Sequence, residues 1–311
     1  MSITRLLSSN AQVKLLFATI PNLKDRFINV GGGEPFPSNL PIIVQREGRA
    51  GPVIGHAYDY LLRAYVQRIN GIHQEREGDH LSAAIAVNIL DSKHIHEAYM
   101  GIVERRNAYI SGRSELTIEV ITDAVILGQL ESYYRSGYAD IPNILRTSEE
   151  DINDLHQLAR ATEAHSEHFI ARESLVCNPQ FGEAVTRLVD GADGDLIIDG
   201  MLIDIKTESD YRWKIGHLRQ LVTYWVLSRL TPEFVPEIKH LAIWNPRYSR
   251  LVYIELEVLR HVIDMTAFIS TFVDIITTDH FEGSEHLSPG LRQRCSQIVR
   301  ETWSAITNTM D

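Results

Sequence analysis

Residues Gly191 to Thr207 read Gly-Ala-Asp-Gly-Asp-Leu-Ile-Ile-Asp-Gly-Met-Leu-Ile-Asp-Ile-Lys-Thr. Two strand-forming runs, Leu196-Ile197-Ile198 and Met201-Leu202-Ile203, flank Asp199-Gly200. Asp-Gly between such runs predicts a two-residue hairpin turn, because both residues tolerate the positive φ that a type I′ turn needs. The short loop sets the register: Ile198 opposite Met201, Ile197 opposite Leu202, Leu196 opposite Ile203, Asp195 opposite Asp204 and Asp193 opposite Lys206. Side chains alternate along a strand and opposed residues share a face. One face therefore carries Leu196, Ile198, Met201, Ile203 and Ile205 and is expected in a core. The other carries Asp193, Asp195, Asp204 and Lys206 beyond Ile197 and Leu202.

The charged face demands a counter-charge. Opposed Cβ atoms lie roughly 5 Å apart, where two carboxylates repel by about 3 kcal/mol at an effective dielectric near 20. Lys206 offsets one negative charge. A divalent cation offsets more, and Mg²⁺ favours one or two carboxylates with waters and substrate phosphates. The plainer reading is a solvated face whose aspartates avoid one another. Asp is a poor strand residue, and here it faces Asp.

These residues carry a resemblance. Asp195, a short hairpin, then Asp204-Ile205-Lys206 resembles the active-site signature of the PD-(D/E)xK nuclease superfamily. Downstream, Gln220-Leu-Val-Thr-Tyr224 is similar to the Gln-x-x-x-Tyr motif of its RecB-like branch, and a spacing of four puts both side chains on one helix face. The resemblance covers roughly Arg172 to Leu256. It implies a mixed α/β fold with a restriction-endonuclease-like α-β-β-β-α-β core. The core spans about 50–70 and 172–260, a large helical insertion fills about 71–170, and C-terminal helices occupy about 258–311, all in one nuclease-like domain over 1–311. It further implies hydrolysis of a phosphodiester, DNA in preference to RNA, with Mg²⁺ or Mn²⁺. Asp195 and Asp204 would bind the metal, with the Ile205 carbonyl as a further ligand. Lys206 would orient the attacking hydroxide and stabilise charge on the phosphate. Gln220 would position water or the scissile strand, and Tyr224 would contact backbone or base. RecB-like chains tend to carry Gly-x-x-x-His on the preceding helix. This chain departs from that pattern with Gly55-x-x-x-Asp59, so that Asp59 would ligate through oxygen; an Asp59–Arg63 helix pair is the competing reading. Asp193 is a further acid on the same face, in a supporting role or as ligand in place of Asp195.

Composition sets wider bounds. The chain has 311 residues, 44% apolar and 23% charged, with a formal net charge of -11. That is an ordinary globular composition, and its acidity argues against a non-specific polyanion coat. Two cysteines, Cys177 and Cys295, make no disulfide framework and fit a cytoplasmic protein. Residues 1–10 lack a signal-peptide apolar run, and no stretch approaches a membrane span.

Elsewhere the pattern predicts a helix over 55–70 and short strands at Leu40–Gln45, Ser174–Asn178 and Ala184–Val189. It then predicts a helix over 213–230, strands at Leu241–Asn245 and Leu251–Leu256, a helix over 259–276, a loop over 278–288 and a polar terminal helix. Gly31-Gly32-Gly33 leads into Glu34-Pro35 rather than a lysine and helix, so it reads as a plain loop. The insertion suits a substrate clamp, a homo-oligomer or partner interface, or buttressing. Its histidines, His94 with His96 and His165 with His168 around Glu167, read as solvated side chains in preference to zinc ligands. Glu173 and Glu183 read as surface acids. Arg212, Lys214, His217 and Arg219 cluster as a candidate phosphate track or as an ordinary solvated helix end. The function class that competes with the nuclease is a nucleic-acid-binding or assembly module that keeps the fold with little catalysis.

Overall fold

The hairpin forms in the expected register, with Leu196 opposite Ile203, Ile197 opposite Leu202 and Ile198 opposite Met201. Asp199 and Gly200 adopt φ of 48° and 79°, the mirror-turn geometry. Gly200 is needed for space as well, since a Cβ there would stand 2.8 Å from the Glu237 carbonyl oxygen. The Asp199 carboxylate accepts from the backbone N–H groups of Arg172, Glu173 and Ser174 at 2.8–2.9 Å, which fastens the preceding strand to the turn.

A computed structural model of the chain describes residues 3–48, 51–72, 81–234, 236–278 and 286–308. Most of the loop expected over 278–288, and residues 73–80 of the insertion, lie outside the described residues. Two helices open the chain, α1 (Ile3–Ser9) and α2 (Ala11–Ala18), then β1 (Ile28–Asn29) and α3 (Gly51–Ile69). The insertion holds α4 (Ser82–Leu90), α5 (Lys93–Ile110), α6 (Ile118–Ser136) and α7 (Glu149–Glu163). Next come β2 (Leu175–Cys177), α8 (Glu183–Leu188), β3 (Leu196–Ile198), β4 (Met201–Ile205), α9 (Ile215–Arg229), β5 (His240–Asn245) and β6 (Arg250–Glu255). Helices α10 (Leu256–Val262), α11 (Met265–Ile276) and α12 (Pro289–Asn308) follow. The strands form one six-stranded mixed sheet in the order β1-β6-β5-β4-β3-β2. Only β4 and β5 run parallel, and α9 makes the crossover that a parallel pair requires.

Helices cover both faces, which corrects the expectation of one open, charged face. Leu196, Ile198, Ile203 and Trp244 pack with α3 and α7. Ile197, Leu202, Leu241 and Ile243 pack with α9 and the C-terminal helices. A third apolar cluster lies within the insertion, between Tyr60 of α3 and residues of α4, α5 and α6. Helix α6 lies directly against α3 at Gly128, where a Cβ would stand 2.5 Å from the Val53 carbonyl oxygen. The insertion thus buttresses the sheet.

Other expectations need correction. Residues 184–189 form no strand; 184–188 lie in helix α8 and Val189 caps its end. Its Val185 and Leu188 point inward at helical spacing, and Glu183 pairs with Arg187 one turn on. Residues 40–45 form no strand; the Ile43 and Val44 N–H groups both donate to the Arg247 carbonyl. The helix expected over 259–276 is two, because Asp264 caps a new start by accepting from the Ala267 N–H at 3.0 Å. Asp193 does not face Lys206. The strand has already left β4 there, and Asp193 bridges Gln180 instead.

Arg247 is 1% exposed and Asp154 of α7 is fully buried, and they form a two-pronged pair at 2.7 and 2.8 Å. Removing one partner strands a buried charge. Asp154→Ala is expected to lower unfolding free energy by about 3–5 kcal/mol, read as a shifted midpoint in urea denaturation.

Candidate metal and phosphate site

The parallel strand β4 ends at the helix-lined end of the sheet, and its last turn of chain carries Asp204, Ile205 and Lys206. Ligands of open α/β sheets gather at such carboxyl ends. Asp204 is 2% exposed. Its Oδ2 lies 2.7 Å from Lys206 Nζ. Across the hairpin, Asp195 Oδ2 accepts from the Ile205 N–H at 2.6 Å, which extends the ladder past the last paired strand residues and holds Asp195 beside Asp204. Lys206 Nζ also donates to Gln220 Oε1 at 3.1 Å, and Gln220 Nε2 donates to the Tyr224 hydroxyl at 2.9 Å. Gln220 and Tyr224 lie one turn apart on α9, so the crossover helix carries this chain of donors. Tyr224 is buried with its ring stacked on Phe181. Its hydroxyl takes the Gln220 hydrogen bond, so this is the end of the side chain linked to Lys206.

Asp59 reaches the same end from α3. A Cβ on Gly55 would meet Thr207 Oγ1 at 3.3 Å, so the start of α3 rests on the residue after Lys206, and Asp59 stands one turn along. The Asp59–Arg63 helix pair forms through Asp59 Oδ2, while Asp59 Oδ1 is buried with no hydrogen-bond partner among the described residues. A buried carboxylate oxygen without a donor is costly.

Burial and charge in this corner shift Asp195, Asp59, Lys206 and Tyr224. Burial, then Asp59, then Asp204 push Asp195 well above the usual carboxylate range. Burial pushes Asp59 up to about 6, against the pull of Arg63. Burial alone would depress Lys206, but Asp204 and Asp195 outweigh it and hold the ammonium above its ordinary value. Burial and the two aspartates raise the Tyr224 hydroxyl, which keeps its proton.

The insertion adds residues that the sequence reading passed over. Glu131 of α6 is 3% exposed. It pairs with Arg135 at 2.6 Å and lies 3.5 Å from His56 Nδ1. Arg135 reaches on to Asp193 at 3.3 Å. The signal was a Glu-Arg pair at helical spacing directly after the apolar run Val120–Leu130, where a charge on a buried face calls for a partner.

The remaining candidates lie elsewhere. Glu173 is exposed at the turn end of the hairpin, and Glu183 pairs with Arg187 on the surface. His94 and His96 are exposed as expected, but His168 is not: its side chain is only 12% exposed. In the proposed phosphate track, Lys214 and His217 both face Glu208, and Arg212 pairs with Asp210. These partners hold Glu208 at about 2 despite its burial, so much of the local positive charge is already matched.

The donor set fits a hard divalent cation. Lys206 pairs with Asp204, Asp59 and Asp204 both act on Asp195, and Asp59 Oδ1 is buried without a donor among the described residues. Asp59, Asp195 and Asp204 are the residues that would hold Mg²⁺ or Mn²⁺. No family model, curated protein or solved structure matches this chain.

Asp59 and Asp195 hold protons more tightly in the folded chain than in the unfolded one, so the folded state binds more protons between their ordinary and raised values. Metal-free stability is therefore expected to fall as pH rises from 3.8 through about 6 for Asp59, with Asp195 adding in the same direction. In EDTA, Asp195→Asn is expected to melt a few degrees above wild type at neutral pH, and the gain is expected to vanish on acidification. Thermal melts across that range check it.

Proposed function

We propose that this chain is a divalent-metal-dependent nuclease that hydrolyses phosphodiester bonds, acting on DNA in preference to RNA. The observation that carries the reading is the grouping of Asp195 with Asp59 and Asp204 at the end of the parallel strand, with Lys206 paired to Asp204 and Asp59 Oδ1 buried without a donor among the described residues. The order α3, β2, β3, β4, α9, β5 supports a restriction-endonuclease-like core, with α4 to α7 as the insertion and α8 an extra turn between β2 and β3. The preference for DNA rests on the resemblance to RecB-like nucleases.

In this reading the carboxylates hold the cation, with the Ile205 carbonyl as a further oxygen at the strand end. A bound Mg²⁺ or Mn²⁺ supplies a water of lowered pKa and polarises a phosphoryl oxygen. Lys206 remains protonated in its acidic surroundings. It therefore acts as a fixed positive charge for the developing negative charge on the phosphate, not as a base. Gln220 holds the ammonium from the α9 side and accepts no role in proton transfer. Tyr224 accepts from Gln220 and keeps its own proton, leaving an O–H to donate to a phosphate oxygen. Arg63 and Arg135 tether Asp59 and Asp193, which limits how far the acids spread before the cation arrives.

A second reading keeps the fold as a nucleic-acid-binding module with little turnover. The pairing of Lys214 and His217 with Glu208, on a chain of net charge -11, speaks against broad phosphate binding and so against this alternative.

Assayed on linear duplex, closed circular and single-stranded DNA and on RNA, cleavage is expected with Mg²⁺ or Mn²⁺, on DNA in preference to RNA, and absent in EDTA; the circular substrate separates end-dependent from internal cutting. Asp204→Ala and Lys206→Ala are each expected to slow it by roughly 10²–10³-fold or more. Cleavage that persists in both variants would place the activity elsewhere. No cleavage and no Mg²⁺-induced rise in melting temperature would leave the binding module as the better account.

A further inference from the structure

Behind the sheet end, on the α3 side, a second group of ligating side chains plays no part in the proposed phosphodiester chemistry. A 3-10 turn, Ser166–Phe169, follows α7, with His165 immediately before it. The imidazoles of His165 and His168 lie almost parallel, 8° apart with centroids at 5.7 Å. Both meet the indole of Trp244 edge-on, at 6.3 and 6.0 Å. Trp244 is fully buried, touches Phe169 and donates its Nε1–H to the Tyr58 hydroxyl at 2.7 Å. The two rings thus rest on a fixed floor. Glu167 closes the group. Its Oε1 lies 3.7 Å from His165 Nδ1 and 4.0 Å from His168 Nε2. One donor atom from each of the three residues lies within 4.8 Å of the others.

Ordinary pairing accounts poorly for this arrangement. Both nitrogen–oxygen separations exceed a hydrogen bond, and two stacked imidazolium rings would repel. Burial and the neighbouring His165 push His168 below its ordinary value against the pull of Glu167, and neutral imidazole is the form that ligates metal. Two imidazoles and a carboxylate are a zinc donor set. A tetrahedral ion with bonds of about 2.0–2.1 Å holds its donors about 3.3–3.4 Å apart. The observed spacing is wider, and the residues that must close it are the ones with room to do so. The Glu167 side chain is 63% exposed and that of His165 is 37% exposed, while His168 stays seated on Trp244.

We propose that His165, Glu167 and His168 form a zinc site, with solvent in the fourth position, separate from the carboxylate site. Zinc there pins the turn after α7 to Trp244. Through the Trp244–Tyr58 hydrogen bond it braces α3 at the residue before Asp59. The site's role is structural, and it stands whether or not the chain cleaves nucleic acid.

Titration of the full chain with Zn²⁺ by calorimetry, and with Co²⁺ by visible absorption, tests this. Both are run in wild type and in Asp204→Ala, so that binding at the carboxylate site is separated from binding here. The expected result is one saturable zinc per chain in both proteins, the visible bands of four-coordinate cobalt, and a higher melting temperature. His165→Gln and Glu167→Gln alter exposed side chains and are each expected to weaken zinc roughly tenfold or more, with the circular dichroism spectrum unchanged. His165→Ala combined with His168→Ala is expected to abolish binding. Absence of zinc binding in wild type, or zinc affinity unchanged in both glutamine variants, would overturn the proposal. Zinc binding lost in Asp204→Ala but kept in the glutamine variants would assign the ion to the carboxylate site and overturn it equally.

Discussion

The buried ion pair between Arg247 and Asp154 holds together parts of the chain that are far apart in sequence. Besides Asp154 on α7, Arg247 donates through Nε to the Thr207 carbonyl at 2.8 Å, and its own carbonyl takes the Ile43 and Val44 N–H groups. One side chain thereby joins the insertion, the β5–β6 turn, the segment before α3 and the residue that follows Lys206. Burying a guanidinium is tolerable only when its donors are met with good geometry, so the cost of desolvation enforces the arrangement. The position of Lys206 relative to Asp204 follows from it. The strand end is clamped at Thr207 from one side, and at Lys206, whose N–H donates to the Trp244 carbonyl at 2.8 Å, from the other.

That clamp explains why helices can cover both faces of a sheet whose end is so acidic. The carboxylates are not spread over an open face. They are gathered at the strand end, where α3, α6 and α9 converge, and enclosure raises Asp195 and Asp59. A solvated cluster would relieve its repulsion by hydration. This one is relieved by Lys206 and Arg63, and in the proposed function by a divalent cation. Asp195 Oδ2 also accepts from the Ile205 N–H, so this buried acid helps hold the hairpin ladder together.

Much of the hairpin was readable beforehand because its determinants are local. Asp199-Gly200 demands a mirror turn, alternation sets the faces, and a slip by one residue would exchange them. The link from Lys206 to Gln220 to Tyr224 was readable in outline, since a spacing of four on a helix is local too. What was not readable is what arrives from a distance. Covering of the second face by α9 and the C-terminal helices depends on tertiary packing that alternation cannot report, because Ile197 and Leu202 look like the apolar tip of an otherwise polar face. The stretch Ala184–Val189 is short, and short apolar runs are compatible with either period. Alternation alone sets Asp193 opposite Lys206, but the pairing with β4 ends at Leu196. Glu131, Arg135 and Asp154 sit in the insertion, and nothing in their own neighbourhood says which part of the sheet they meet.

The insertion therefore shapes the electrostatics of the candidate site as well as its frame. Gly128 lets α6 approach α3 at backbone contact, and one turn later Glu131 enters a nearly sealed space beside His56 and Arg135. A second buried carboxylate so near Asp59 would raise that acid further if it stood alone. Arg135 meets Glu131 first and then Asp193, so it neutralises the outer acids and leaves Asp59, Asp195 and Asp204 as the group whose charge is least matched. Had Arg135 been placed among those three instead, the cluster would be close to balanced and would have little electrostatic reason to attract a cation. The arrangement concentrates unmatched negative charge at the end of β4, beside Lys206, which is where a metal-assisted reaction on a phosphodiester would need it.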